Sequence, residues 1–201
     1  MRFSKEKVEK VVKSKGYVWF EDRNNKDYDV NIVGIRNMSN SVTNLFDDYI
    51  TLSYKVDGVW KFHQFEATTE PGKYWMNNPE NKFGTAILKP GQYRGSHMLG
   101  LHGGKYEALR QRTNLPVYRD NDRDDEYDLI PESIQEGYFG INIHRSNPYT
   151  ESYLVNKWSA GCQVFKKVDD FNLFMNVCRK ASKIWGNKFT YTLLELEDFK
   201  D

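Results

Sequence analysis

Two side chains in this sequence have the chemistry for nucleophilic catalysis at a spacing that could bring them together: Cys162 and His144. The chain holds only two cysteines and four histidines. A thiol attacks carbonyl carbon only as thiolate, so it needs a base or a positive field beside it. An imidazole can take the thiol proton and return it to a leaving group. Phe139, Ile141 and Ile143 alternate with smaller or polar residues, which predicts a half-buried strand delivering His144 at its end. A second strand would carry Cys162, followed by Val164 and Phe165. Two neighbouring strands would let thiol and imidazole meet.

The residues before the cysteine are small. Ala160 and Gly161 would let a carbonyl oxygen approach closely, and backbone N–H groups there could hold a developing oxyanion. One good donor of that kind is worth roughly 3–4 kcal/mol. These parts describe acyl transfer through a thioester. A cysteine beside glycine in a strand is also a common small core residue, so the pair alone does not establish catalysis.

The spacing is more specific. His144, fourteen intervening residues, then Ser159-Ala160-Gly161-Cys162 resembles the signature of the L,D-transpeptidase catalytic domain, the YkuD-like family. The resemblance is sharp over residues 139–165 and weaker over residues 66–110, where Ala67-Thr68-Thr69 and Lys89-Pro90-Gly91-Gln92-Tyr93 look like segments leading to a cleft. It implies a β-sandwich-like fold and attack by Cys162 on a carbonyl of a peptidoglycan peptide stem, with no cofactor and no metal. By position it makes Cys162 the nucleophile and His144 the base. It has the Arg145 carbonyl orient the imidazole and Ser159 brace the loop, and it forms the oxyanion hole from backbone groups of Ala160, Gly161 and Cys162. His102, Gly103 and Trp158 are the expected lining of the substrate cleft. The chain departs from the family pattern at Ala160, where a second histidine is common, at Arg145, and at Gln163-Val164, a change expected to alter acceptor recognition. A different class of reading is a virion or secretion-system structural protein that keeps the fold without the activity.

Other constellations are weaker. His97 and His102 are five residues apart, match no familiar zinc spacing, and no His-Glu-x-x-His is present. His63 lies in a hairpin and reads as structural. Asp120, Asp122 and Asp124 begin like a calcium loop, but Asp125 stands where glycine is needed and Pro131 where glutamate is needed. The passage reads as a solvated acidic loop.

The elements that must position the pair follow from periodicity. Ser4 caps a helix over residues 5–15 with Val8, Val11 and Val12 as its stripe. Alternating runs over 49–56 and 59–65 flank Asp57-Gly58, the clearest hairpin signal. Short strands are expected at 17–20, 30–35, 84–88 and 188–196, loops at 37–44 and 68–82. Residues 94–128, glycine-rich and then acidic, are expected to form a lid or insert. Asp169 or Asp170 caps an amphipathic helix ending near Trp185, with Cys178 buried on its stripe. The outcome is one mainly β (α+β) domain over residues 1–201, with an N-terminal helix over 1–16 and one C-terminal helix.

Composition sets the outer bounds. In 201 residues, 29 Lys and Arg face 28 Asp and Glu, for a net charge of +1, which gives no broad electrostatic case for nucleic acid. No run approaches the roughly 20 apolar residues of a membrane span. The first fifteen residues lack the apolar run of a signal peptide. Synthesis in the cytoplasm is expected, with action on a cell wall only after release or delivery by another route.

Overall fold

The computed structural model describes residues 1–21, 23–38 and 41–200. Along the chain run α1 (Lys5–Ser14), β1 (Asn31–Arg36), β2 (Asp48–Val56), β3 (Val59–Thr68), α2 (Lys73–Asn77), β4 (Thr85–Leu88), β5 (Gly91–His102), β6 (Tyr106–Gln111) and β7 (Leu115–Asp120). They are followed by β8 (Gln135–Gly137), β9 (Ile143–Arg145), β10 (Gln163–Phe165), α3 (Val168–Trp185) and β11 (Phe189–Glu195). Ser4 caps α1 by accepting from the Lys7 N–H, as its position before the valine stripe predicts. The loop expected over 37–44 includes residues 39 and 40, which lie outside the described residues.

The fold is mainly β with few helices, and its main sheet closes. Eight strands form a barrel in the order β1-β11-β5-β6-β9-β10-β3-β2, with β2 returning to β1. A separate three-stranded sheet runs β4-β7-β8. The β-sandwich expectation is therefore corrected to a barrel. Inward–outward alternation is identical in sandwiches and barrels, so strand periodicity does not distinguish them. Pairing does. Parallel pairing of β1 with β11 joins the two ends of the chain, and parallel pairing of β9 with β10 joins the His144 and Cys162 segments.

Side chains fill the interior, as an eight-stranded barrel requires. Ile32, Ile50, Leu52, Phe65, Ile143, Phe165 and Leu193 share one core with Phe171, Phe174, Met175 and Cys178 of α3. The outer faces of β1 and β11 are covered as well. Val33, Ile35 and Leu194 pack there against Val8, Val11 and Val12 of α1, which explains why every residue of β1 is buried.

Several local expectations change. Residues 17–20 are not a strand; the Asn31 side chain, not a ladder partner, bonds both the N–H and the carbonyl of Phe20. Residues 68–82 contain α2. Helix α3 begins at Val168 with Lys167 as its cap, and Asp169 and Asp170 lie in the first turn, where the helix dipole favours negative charge. Residues 94–128 are neither lid nor insert over most of their length. Residues 91–102 and 106–111 are β5 and β6 of the barrel, and 115–120 is β7 of the small sheet. The glycines that suggested a mobile segment serve a bulge at Gly95 and the tight β5–β6 turn.

Candidate active site

The strand that delivers His144 is short. Only Ile143–Arg145 pairs as β9. Gln111 anchors residues 139–141: its Oε1 accepts from the N–H groups of Phe139 (3.1 Å) and Ile141 (2.8 Å). The Gln111 N–H in turn donates to Asn142 Oδ1. In the β9–β10 register Val164 stands opposite His144 and Gln163 opposite Ile143, and the Gln163 N–H donates to the Asn142 carbonyl at 2.8 Å. Cys162 is two residues before Val164, so it shares the face of Val164 and His144. That face is the outer one, where Cys162 and Val164 pack with Phe46 and Val155. The alternate residues, Ile143 and Phe165, point into the core.

His144 is buried and its tautomer is set. Nδ1 lies 2.8 Å from the Arg145 carbonyl oxygen, an acceptor, so Nδ1 carries the hydrogen and donates it. That leaves the lone pair on Nε2. The Tyr106 hydroxyl donates to the same carbonyl at 3.2 Å and lies 3.2 Å from Nδ1. Arg145 places its guanidinium over the Tyr106 ring at 4.0 Å and so fixes the phenol that fixes the histidine. His102 stacks on His144 with ring centroids 4.0 Å apart, and Asn142 Nδ2 is 3.2 Å from His102 Nδ1. Burial, with the neighbouring His102, pulls the His144 imidazole down to about 3. It is neutral at physiological pH.

The cysteine is also neutral at rest. Burial pushes the Cys162 thiol up to about 11, against the smaller opposing pull of the Asn142 N–H. Its Sγ donates to the Gly140 carbonyl at 3.3 Å, and among the described residues no hydrogen bond joins Sγ to His144. Alkylation should follow this. Iodoacetamide labelling of Cys162 should be slow near neutral pH and rise steeply toward pH 11, while Cys178, fully buried and pushed higher still, stays unlabelled in the folded protein. Mass spectrometry of alkylated peptides across pH reads both thiols, and rapid labelling of Cys162 below pH 7 would contradict the buried neutral thiol.

The segment before the cysteine is tightly built. Ser159 is fully buried; its Oγ donates to the Cys162 carbonyl at 2.8 Å and accepts from the Gly161 N–H at 3.2 Å. The Ser159 carbonyl accepts from Gly72. Gly161 has φ +121°, and a Cβ there would lie 2.4 Å from the Ala86 carbonyl oxygen, so only glycine fits. Because Ser159 engages the Gly161 N–H, the expected three-group oxyanion hole is reduced. The N–H groups of Ala160 and Cys162 carry no bond to a described residue and remain as donors.

A cleft of about 490 Å³ opens beside this segment. Ala160 and Gly140 form one side, Ala86 and Thr85 another, with Trp75, Phe139 and Arg119 around them. Arg119 is buried, bonded to Gln135 Oε1 and the Gly84 carbonyl, and stacked 4.4 Å from the Phe139 ring centre. The cleft differs from the sequence expectation: His102 stacks on His144 instead, Gly103 forms the β5–β6 turn with open space around it, and Trp158 is exposed on the loop before Ser159. Gln163 is fully buried, accepts from Tyr191 Oη at 2.7 Å and donates to the Gly161 carbonyl, so it supports the cysteine turn from within the barrel.

Tyr106, Gln111, Asn142 and Arg119 were not legible as site residues. Tyr106 reaches His144 only because β5 and β6 place it opposite His102. His97 and His102 lie at odd spacing on β5. His97 is fully buried, with Nε2 on the Ile141 carbonyl at 3.0 Å. Among the described residues no three His, Cys, Asp or Glu side chains gather as a metal set, and no helix is long and apolar enough to cross a membrane.

Comparison with protein-family models, with curated proteins and with solved structures finds no match for this chain. The resemblance to L,D-transpeptidases therefore stands on the residues around His144 and Cys162.

Proposed function

We propose that this protein is a cysteine-dependent acyltransferase or peptidase of the L,D-transpeptidase type, acting on peptidoglycan peptide stems, with the barrel as its form of that catalytic fold. The observation that carries the reading is the His144 tautomer: Nδ1–H is committed to Arg145, and Nε2 is left with a lone pair on the same strand face as Cys162.

The chemistry follows from two neutral groups. A stem peptide held in the cleft presents its carbonyl past Gly140 and Ala160 to Cys162; the Sγ–H···O=C contact with Gly140 breaks, and the thiol turns toward Nε2. Proton transfer to Nε2 accompanies S–C bond formation, and the Ala160 and Cys162 N–H groups receive the charge on the carbonyl oxygen. The imidazolium returns its proton to the amine as the C–N bond breaks, leaving a thioester on Cys162. An acceptor amine or water then adds, giving its proton to Nε2, and the thiol is restored. Amine resolution is transpeptidation; water resolution is carboxypeptidase or endopeptidase action. The neutral resting pair makes proton transfer part of the attack, since neither group is charged beforehand.

A second reading has its own observation. Sγ is bonded to Gly140 and not to His144, and Cys162 does not line the 490 Å³ cleft. A structural protein that kept the fold would look the same at rest. Incubation with purified muropeptides and mass analysis of the products separates the two. Loss of a terminal residue, or its exchange for an added D-amino acid, supports the enzyme. Unchanged muropeptides at high protein concentration would leave the structural reading.

A further inference from the structure

A second cavity, of about 370 Å³, lies between the segment after α1, the start of β5, the chain after β6 and the end of α3. It shares no lining residue with the cleft beside Cys162. β5 carries both places: Arg94 lines this cavity and His102 stacks on His144, which separates them by roughly 25 Å at ~3.3 Å per residue.

Its walls are strongly basic. Arg23, Arg94, Arg112 and Lys188 line it, against one carboxylate, Asp29. Arg23 is committed to Asp29 through two bonds of 2.7 and 3.0 Å. Among the described residues Arg94, Arg112 and Lys188 have no ion-pair partner. Among the described residues the lining thus carries three positive charges in excess, in a chain whose whole net charge is +1. The C-terminal end of α3 also faces the cavity, but its dipole supplies only about half a negative charge. It cannot account for three cations.

The guanidiniums are held as well as gathered. Arg23 and Arg94 both stack on Phe20, at 5.1 and 5.3 Å from the ring centre, and Arg23 also lies 4.9 Å from the Trp185 ring. Arg112 donates through Nη1 to the Gly95 carbonyl at 3.0 Å, and its other nitrogens bond no described residue. Gly95 follows Arg94 directly and supplies the carbonyl that Arg112 engages. The β5–β11 register slips here, Gly95 takes φ +60°, and its N–H is held by Thr190 Oγ1. Bulges of this kind re-aim side chains beside sites. Asp29 is taken up by Arg23, so the remaining like charges repel, and an anion with several oxygens relieves that repulsion while matching the guanidinium fork.

We infer that this cavity binds a small molecule bearing a phosphate ester, whose phosphate oxygens bridge Arg94, Arg112 and Lys188. A multiply charged group fits three unpaired cations better than a single carboxylate does, and the volume leaves space for an organic part beyond the phosphate.

The test is calorimetric titration of the full chain at low ionic strength with ribose 5-phosphate, inorganic phosphate and ribose. Ribose 5-phosphate should bind saturably, tighter than about 1 mM, and ribose should give no heat. Arg94→Gln and Arg112→Gln should each weaken binding by roughly tenfold or more. Both side chains are exposed, so the variants should keep the parent melting temperature. Added salt should weaken binding. No saturable binding of either phosphate probe, equal binding of ribose, or binding that both substitutions leave unchanged would overturn the assignment.

Discussion

Cys162→Ala should abolish muropeptide turnover, by at least about 10³-fold in kcat, while leaving the fold intact. The size follows from the role: without sulfur there is no thioester, and what remains is binding plus two backbone donors. The structural cost is small, because the side chain is part-buried and its contacts with Phe46, Val155 and Val164 are partly kept by the alanine methyl. His144→Ala should fall by a similar factor. The double variant should be no worse than either single one, since nucleophile and base act as one unit. Cys162→Ser should not rescue, because a hydroxyl beside a neutral, buried imidazole is a poorer nucleophile than the thiol. Circular dichroism and melting temperature control for folding. Multiplicative losses in the double variant would show that the two do not act as one unit, and turnover retained in Cys162→Ala would remove Cys162 from the chemistry.

Arg36→Ala should cost roughly 3–5 kcal/mol of stability, the range for removing one partner of a buried charge network. Arg36 is fully buried. It donates to Thr69 Oγ1, the Thr69 carbonyl and the Leu88 carbonyl at 2.7–3.1 Å. Two buried carboxylates depend on it. Asp48 accepts from the Thr69 N–H, the Thr69 hydroxyl and the Asn37 N–H, and Glu70 lies 3.6 Å from Arg36 Nε. Burial raises both acids above their ordinary values, Glu70 well above. An acid raised in the folded state contributes stability below its unfolded pKa, and that contribution is lost as pH rises through the folded value. Removing the cation raises both further. The Arg36→Ala deficit should therefore be larger near neutral pH than near the unfolded carboxylate pKa of about 4. Urea denaturation at the two pH values measures it; a deficit independent of pH would show that the carboxylates do not depend on Arg36. The variant should also loosen the site, since Thr69 is the link between Arg36 and Gln163 behind the cysteine turn.

Local signals in the sequence are decisive where one residue type sets the outcome. Ser4 before a valine stripe placed α1, Asp57-Gly58 placed the β2–β3 turn, and the apolar face from Phe171 to Ile184 placed α3 and buried Cys178, although Ile184 itself is exposed. They failed where a side chain replaces a ladder partner. Gln111 holds residues 139–141 in place of a strand neighbour, and Asn31 does the same for Phe20. They failed again over 94–111, where glycines needed for a bulge and a tight turn looked like a lid.

By itself the sequence determined which groups could act: a thiol and an imidazole on flanking strand segments, with small residues before the cysteine. Those are properties of residue type and local spacing. Only the tertiary structure decided that the sheet closes into a barrel, because closure depends on which strands pair and not on how each alternates. It alone decided that His144 presents Nε2, through the Arg145 carbonyl and a tyrosine 39 residues earlier in the chain. It also decided that the thiol rests neutral against Gly140 and that three arginines and a lysine converge at a bulge in β5. Burial, tautomer and charge convergence are set by neighbours distant in sequence, and no local pattern encodes them.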